Sequence, residues 1–335
     1  MAREGVRPSY DPAGHDGALR GALQELRTGR WMAMRALLAE TTEWWRWTQR
    51  TQVLAAAAAG TDVVRAWRAE EPGSVAAAVM HARVGVERAL RARREEHRRT
   101  HELWIEAWDA AQSATEAAPA DPVPWVCLLA LAQLDTAQSW QEHRVAPPEP
   151  VLPHGPWGLL AEARTRDPHN REAHHRMLQF LYAIGPTDRL AQASHYAQWA
   201  AGSAPDGSAL HVLPLYVRVE RYRRATGHTA ALDLHWVAED ATREALRTLD
   251  AWFDRAPDAE RSLLDLNHLA HALWGALQFP EAARVFDAIG PYVTPPPWMY
   301  RTPDRSRAVE VFQRARDRCR SAARSPGGGP PGTRT

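Results

Sequence analysis

The chain of 335 residues contains no lysine: all 41 basic residues are arginine, set against 40 acidic ones for a formal charge of +1. Without a lysine amine there can be no Schiff-base catalysis, no pyridoxal phosphate attachment and no P-loop. The balanced charge gives no whole-chain signature for nucleic acid or a membrane surface. Isoleucine occurs only at 105, 184 and 289 and asparagine only at 170 and 267, an avoidance of A- and T-rich codons like that of a high-GC actinobacterium. The two cysteines, Cys127 and Cys319, form no CxxC zinc or redox motif and are too few for a disulfide framework, which fits a reducing cytoplasm. No run of about 18 apolar residues is present, and the opening MAREGVRPSYDPAGHD lacks the apolar centre of a secretion signal. No membrane span or export is expected, and the protein is read as cytoplasmic.

Strand signals are equally scarce, with no alternating β-branched runs joined by Asn-Gly or Asp-Gly turns. Helical spacing takes their place: Ala-, Leu-, Arg- and Glu-rich windows carry apolar residues at i, i+3, i+4 and i+7 from about 17 to 323. Proline turns interrupt them at Pro72, Pro122, Pro168, Pro205, Pro257 and Pro295. A missing N–H costs little at a helix start, so each proline is placed to end one helix and begin the next. Small residues recur before these turns: Ala110, Ala114 and Ala117 before Pro122, and Ala193, Ala197 and Ala200 before Pro205 at the same offsets. Ala245, Leu249 and Trp252 hold those places before Pro257. Small side chains at such spacing let neighbouring helices lie close.

The stretch from Leu266 to Pro295, with Leu269, Ala270, Leu273, Phe279, Ala282, Phe286 and Ile289 in their order of large and small positions, resembles a tetratricopeptide (TPR) unit. Gly29, Trp31, Met34 and Leu38 look like the interhelical turn and second helix of another. The chain thus resembles the TPR helical-repeat superfamily in a degenerate form over about 17 to 295, and is similar to TPR-like proteins of actinobacteria. Most first helices lack the family's Trp and Gly pattern, and Pro214 falls inside an expected helix. The resemblance implies an all-α fold: a TPR-like α-solenoid of antiparallel helix pairs closed by a C-terminal capping helix. The segment 305–323 supplies that helix, with Val309, Phe312, Ala315 and Cys319 on one face.

The expected organisation is a disordered arm at 1–15, TPR-like helical repeats at 16–140, a Pro-rich loop at 141–156, further repeats and the cap at 157–323, and a disordered tail at 324–335. The loop holds five prolines. Residues 83–101 hold seven arginines and read as a long helix or a charged insertion; 301–335 hold nine arginines against Asp304, Glu310 and Asp317. Interspersed Glu87, Glu95 and Glu96 make the first a solvated face, and nucleic acid is disfavoured as a partner.

No GxSxG, HExxH, GxGxxG or EF-hand pattern occurs, so no catalytic residue is assigned and no cofactor is called for. His97 and His101, four apart, lack a third ligand and an HExxH frame, so no metal site is assigned either. Histidine also recurs on the first helix of successive units, at His81, His174 with His175, His211, and His268 with His271. In TPR-like solenoids that helix lines the concave face. Met177, Phe180, Leu181 and Ile184 form one buried stripe and leave His175, Gln179 and Tyr182 on an adjoining face. His211, Arg218 and Tyr222 align on the next unit, and Asn267, His271 and Trp274 on a later one. These nine residues are the candidate binding groove: guanidinium forks for carboxylate or phosphate beside aromatic anchors. The function expected is a non-catalytic helical-repeat protein that binds a protein or peptide partner there. The alternative is an enzyme or small-molecule binder of specialised metabolism using the same His/Arg/Tyr groove.

Overall fold

The computed structural model describes residues 7–184, 190–225 and 235–324. It is all-α: among the described residues there is no strand, and the only strand-like pairings are two isolated bridges, Ser9 with Tyr292 and Val145 with Gly155. No helix among them is long and apolar enough to cross a membrane. The chain forms two compact units, one of Pro12–Ser203 and one that joins Met1–Asp11 to Ala204–Thr335. The expected tail from 325 onward lies outside the described residues.

In the Pro12–Ser203 unit the helices are α1 (Gly17–Arg27), α2 (Met32–Ala39), α3 (Trp44–Ala58), α4 (Val63–Glu70), α5 (Val75–Arg94), α6 (Thr100–Ala117), α7 (Val123–Ala132), α8 (Trp157–Arg166), α9 (Arg171–Ala183) and α10 (Leu190–Gly202). Three of them, α1, α5 and α9, start at a side-chain oxygen that takes up a free backbone N–H group. Asp16 accepts from Leu19 N at 2.9 Å, Ser74 from Ala77 N at 3.3 Å, and Asn170 from Ala173 N at 2.9 Å. Gly29 turns the chain between α1 and α2 with φ +83°, the left-handed region in which glycine carries no steric penalty. Trp31, Met34 and Leu38 then face inward. α7 is apolar on every side, and all nine residues from Val126 to Ala132 and Val123 to Pro124 are buried, as a helix without a polar face must be.

Gly85, in the middle of α5, explains how α5 and α6 meet: a Cβ there would stand 3.1 Å from the Cα of Ala107. The small-residue expectation is met in part. Ala193, Ala197 and Ala200 are all buried, whereas before Pro122 the buried row is Ala107, Ala111 and Ala114, with Ala117 exposed. The charged stretch 83–101 is two helices joined by a turn, with α5 ending at Arg94 and α6 starting at Thr100. His97 lies in that turn and His101 in α6, so they do not share a helix face. The Pro-rich stretch 141–156 is closed on itself by the paired bonds Val145 N to Gly155 O (2.9 Å) and Gly155 N to Val145 O (3.0 Å).

The other unit contains α11 (Leu213–Arg224), α12 (Glu239–Thr248), α13 (Leu263–Gly275), α14 (Phe279–Ile289) and α15 (Ala308–Arg324). Pro214 sits in the first turn of α11, where its missing N–H breaks no helical bond, because a 3-10 turn at Ala209–Val212 precedes it. Of the seven residues that carry the TPR resemblance, α13 and α14 bury Leu269, Ala270, Leu273, Ala282, Phe286 and Ile289 and leave Phe279 half-buried. α15 buries Phe312, Ala315 and Cys319 along one face, as the sequence pattern requires. The arm expected to be disordered has defined places from residue 7 onward: Ser9 N donates to Pro291 O at 2.9 Å, and Val293 N donates to Ser9 O at 3.0 Å.

Candidate functional site

A cleft of about 460 Å³ opens in the Pro12–Ser203 unit between α4, α5 and α6. On α5 its lining residues Ala78, His81, Gly85 and Arg88 recur at helical spacing and cover about 15 Å of the axis. Arg68 of α4 stands on their side, and α6 contributes Leu103, Glu106, Asp109, Ala110 and Ser113. Small residues at 78, 85 and 110 keep the backbone near the open space. Arg88 is anchored: its Nε donates to Ala59 O at 2.9 Å and its Nη2 to Thr61 O at 2.6 Å. Burial lowers the pKa of His81, and the charges of Arg68 and Arg88 lower it further. The imidazole is therefore a neutral hydrogen-bonding group at pH 7.

Below this cleft lies a buried ionic core. Arg83, on the opposite side of α5, grips Glu172 of α9 through two bonds of 2.7 and 2.6 Å, with both side chains 3% exposed. Arg176 adds a second guanidinium to Glu172 at 2.9 Å. Burial alone would raise the pKa of Glu172, but the two arginines outweigh it and hold the carboxyl below its usual range. Asp121 accepts from Trp47 Nε1 at 2.8 Å and from Val123 N at 2.7 Å, yet burial still pushes it up to about 6. His174 sits 2.8 Å from the Tyr196 hydroxyl; burial first, then Arg164 and His169, bring it down to about 3.

The nine residues expected to form a groove are divided between the two units. His175, Gln179 and Tyr182 lie on α9, the first and last half-buried and Gln179 exposed, beside the buried stripe of Met177, Phe180, Leu181 and Ile184. The other six belong to the second unit. There the ring Nε2 of His211 is 3.1 Å from Pro205 O. The Arg218 fork is taken by the chain itself: Nη2 donates to Asp240 at 2.8 Å and Nε to Glu244 at 2.9 Å.

Tyr222, His271 and Trp274 do come together, around a residue that the pattern did not single out. Arg301 donates from Nε to His271 Nε2 at 2.9 Å, and its guanidinium lies over the rings of Tyr222, Trp236 and Trp274 at 5.1, 5.3 and 4.9 Å. Cation–π attraction of this kind grows as the cation loses water. Gly275 permits it, since a Cβ there would meet Arg301 Nη2 and Trp236 Cβ at 2.9 Å. Asn267 accepts from Trp298 Nε1 at 2.8 Å and donates to Leu263 O at 2.8 Å. Asn267 and His271 are thus interior residues, 0% and 1% exposed, because Trp298 and Arg301 cover that face of α13. Burial, and then Arg301 and His268, hold the His271 pKa well below the usual histidine value.

Of the cleft residues, the sequence pattern singled out His81, among the recurring histidines, and Ala110, in the small-residue row before Pro122. A glycine in mid-helix was the available signal for Gly85, since it marks a close approach. Arg68, Arg88, Glu106 and Asp109 look like ordinary solvated charges until the helices are placed. Among the described residues, no group of three or more His, Cys, Asp or Glu side chains is arranged to hold a metal ion. No family model matches the chain, and no curated protein and no solved structure matches it either.

Proposed function

We propose that this chain is a non-catalytic helical-repeat protein, with TPR-like helix pairs stacked antiparallel in a solenoid, that binds a peptide or protein segment in the cleft between α4, α5 and α6. The observation that carries this reading is the cleft itself. Its volume is within the range of ligand sites, its small residues leave room for an incoming backbone, and its rim offers donors and acceptors of both charges. A reducing, cytoplasmic setting is supported by the two unpaired cysteines. We assign the ligand to this cleft ahead of the His211–Trp274 set, because Arg218, Asn267 and His271 are engaged with Asp240, Glu244, Trp298 and Arg301.

The test is selection of random 12-residue peptides on the intact protein, followed by rebinding to Ala110→Trp, which fills the cleft, and to Arg65→Ala on the outer side of α4. Selected peptides should lose at least about tenfold in affinity on Ala110→Trp and keep it on Arg65→Ala. Equal recovery on both variants would overturn the assignment.

A further inference from the structure

The charges around the cleft are sorted by helix. Arg68 and Arg88, with the neutral imidazole of His81 beside them, stand on α4 and α5, while Glu106 and Asp109 stand on α6. Among the described residues no hydrogen bond or ion pair joins the two sets. Arg68 and His81 make neither to any other described residue, and the Asp109 carboxylate likewise has no partner there. Arg88 is fixed by two carbonyls, which orient its guanidinium without neutralising it. Glu106 meets only Arg99, at 3.4 Å on the exposed rim. Charges of opposite sign thus line one cleft from different helices, and of the four charged groups only Glu106 has a counter-charge, Arg99, at the rim.

α5 and α6 are in contact at Gly85, where a Cβ would stand 3.1 Å from the Cα of Ala107, and the cleft opens beside that contact. We propose that the cleft is a receptor for a short zwitterion, its carboxylate on Arg68, His81 and Arg88 and its ammonium on Glu106 and Asp109. A tripeptide with both ends free carries one charge of each sign about 10 Å apart. A polyanion fits the basic wall alone and is repelled by the acidic one. This inference rests on the binding reading above and narrows it to a ligand chemistry.

Titration calorimetry on the full chain decides it with three probes: triglycine, N-acetyltriglycine and triglycinamide. Triglycine should bind at least about tenfold more tightly than either blocked form, each of which forfeits one set of charge-assisted bonds. Arg68→Ala should weaken triglycine and N-acetyltriglycine but not triglycinamide. Asp109→Asn should weaken triglycine and triglycinamide but not the acetylated form. Both substituted side chains are exposed, and an unchanged far-UV spectrum establishes that the variants are folded. Equal affinity for all three probes, or no binding of triglycine, overturns the zwitterion assignment. If Ala110→Trp still abolishes binding of selected 12-residue peptides in that event, only this inference falls. If no peptide depends on the cleft, the binding reading falls with it.

Discussion

Arg83 and Arg301, one in each unit, are held in different ways. In the Pro12–Ser203 unit, Arg83 enters the core with its fork on the two oxygens of a single carboxylate, Glu172, which takes a second arginine, Arg176, in turn. In the other unit, Arg301 is received by three aromatic rings and a neutral imidazole. The first arrangement is strong only while both charges are present, because desolvation nearly cancels the attraction and leaves a stranded ion if one partner is lost. The second spreads its attraction over several weak contacts and depends on shape. A chain whose only strong base is arginine has used both solutions to the same problem.

The sharpest way to break this contrast is Glu172→Ala, which strands Arg83 and should destabilise the protein by about 3–5 kcal/mol, read from the urea midpoint by circular dichroism. The double change Arg83→Met with Glu172→Leu should cost less than the single one. A loss below about 1 kcal/mol for Glu172→Ala would mean that the ionic core is not what holds α5 to α9.

Acid should sharpen the comparison next. His174 titrates at about 3 in the folded protein and near 6.5 unfolded, so the unfolded chain binds the extra proton between those values. Stability is therefore full above pH 6.5 and falls as pH drops, by about 1.4 kcal/mol per unit from this group. Asp121, raised to about 6, works in the other direction between pH 6 and its unfolded value near 3.8, since protonation relieves a buried charge. His271, in the second unit, is lowered in the same sense as His174. Urea midpoints between pH 7.5 and 4.5 should fall with acid, less steeply in His174→Gln and in His271→Gln, and more steeply in Asp121→Asn. A flat profile in the unsubstituted protein would sink this account.

Shape should matter most around Arg301. Gly275→Ala puts a methyl group into 2.9 Å contacts with Arg301 and Trp236, and overpacking of this kind costs about 1–3 kcal/mol. Arg301→Lys keeps the charge but loses the flat guanidinium, and should lower stability by about 1 kcal/mol, again by urea midpoint. Smallest of all, Arg68→Ala and Asp109→Asn should stay within about 0.5 kcal/mol of the parent protein, as exposed side chains without partners do.

Much of the local structure was legible. The proline turns, Gly29, the stripe of Met177, Phe180, Leu181 and Ile184, and the apolar face of α15 all follow from rules that act over a few residues. The buried pair Arg83 and Glu172 did not, because 89 residues separate them and each alone looks like a solvent-facing charge. The candidate groove was misjudged in visibility for the same reason. Nothing in the spacing of Asn267, His271 and Trp274 reveals that residues 298 and 301 return to cover them. Arg218 likewise has the right chemistry for an outside anion, but Asp240 and Glu244, four apart on α12, reach it first. Of the cleft only His81 and Ala110 stood out in the sequence, since its separation of charge arises from how three helices are set side by side.

The pairing of Ser9 with Pro291 and Val293 ties together residues more than about 280 positions apart in the chain. On a ribosome adding about 5–20 residues each second, the opening segment waits about 15–60 s for its docking site to be made. Ser9 thus finds its partners only after residue 293 has been made, and a nascent protein halted before residue 291 would still carry that segment unclaimed.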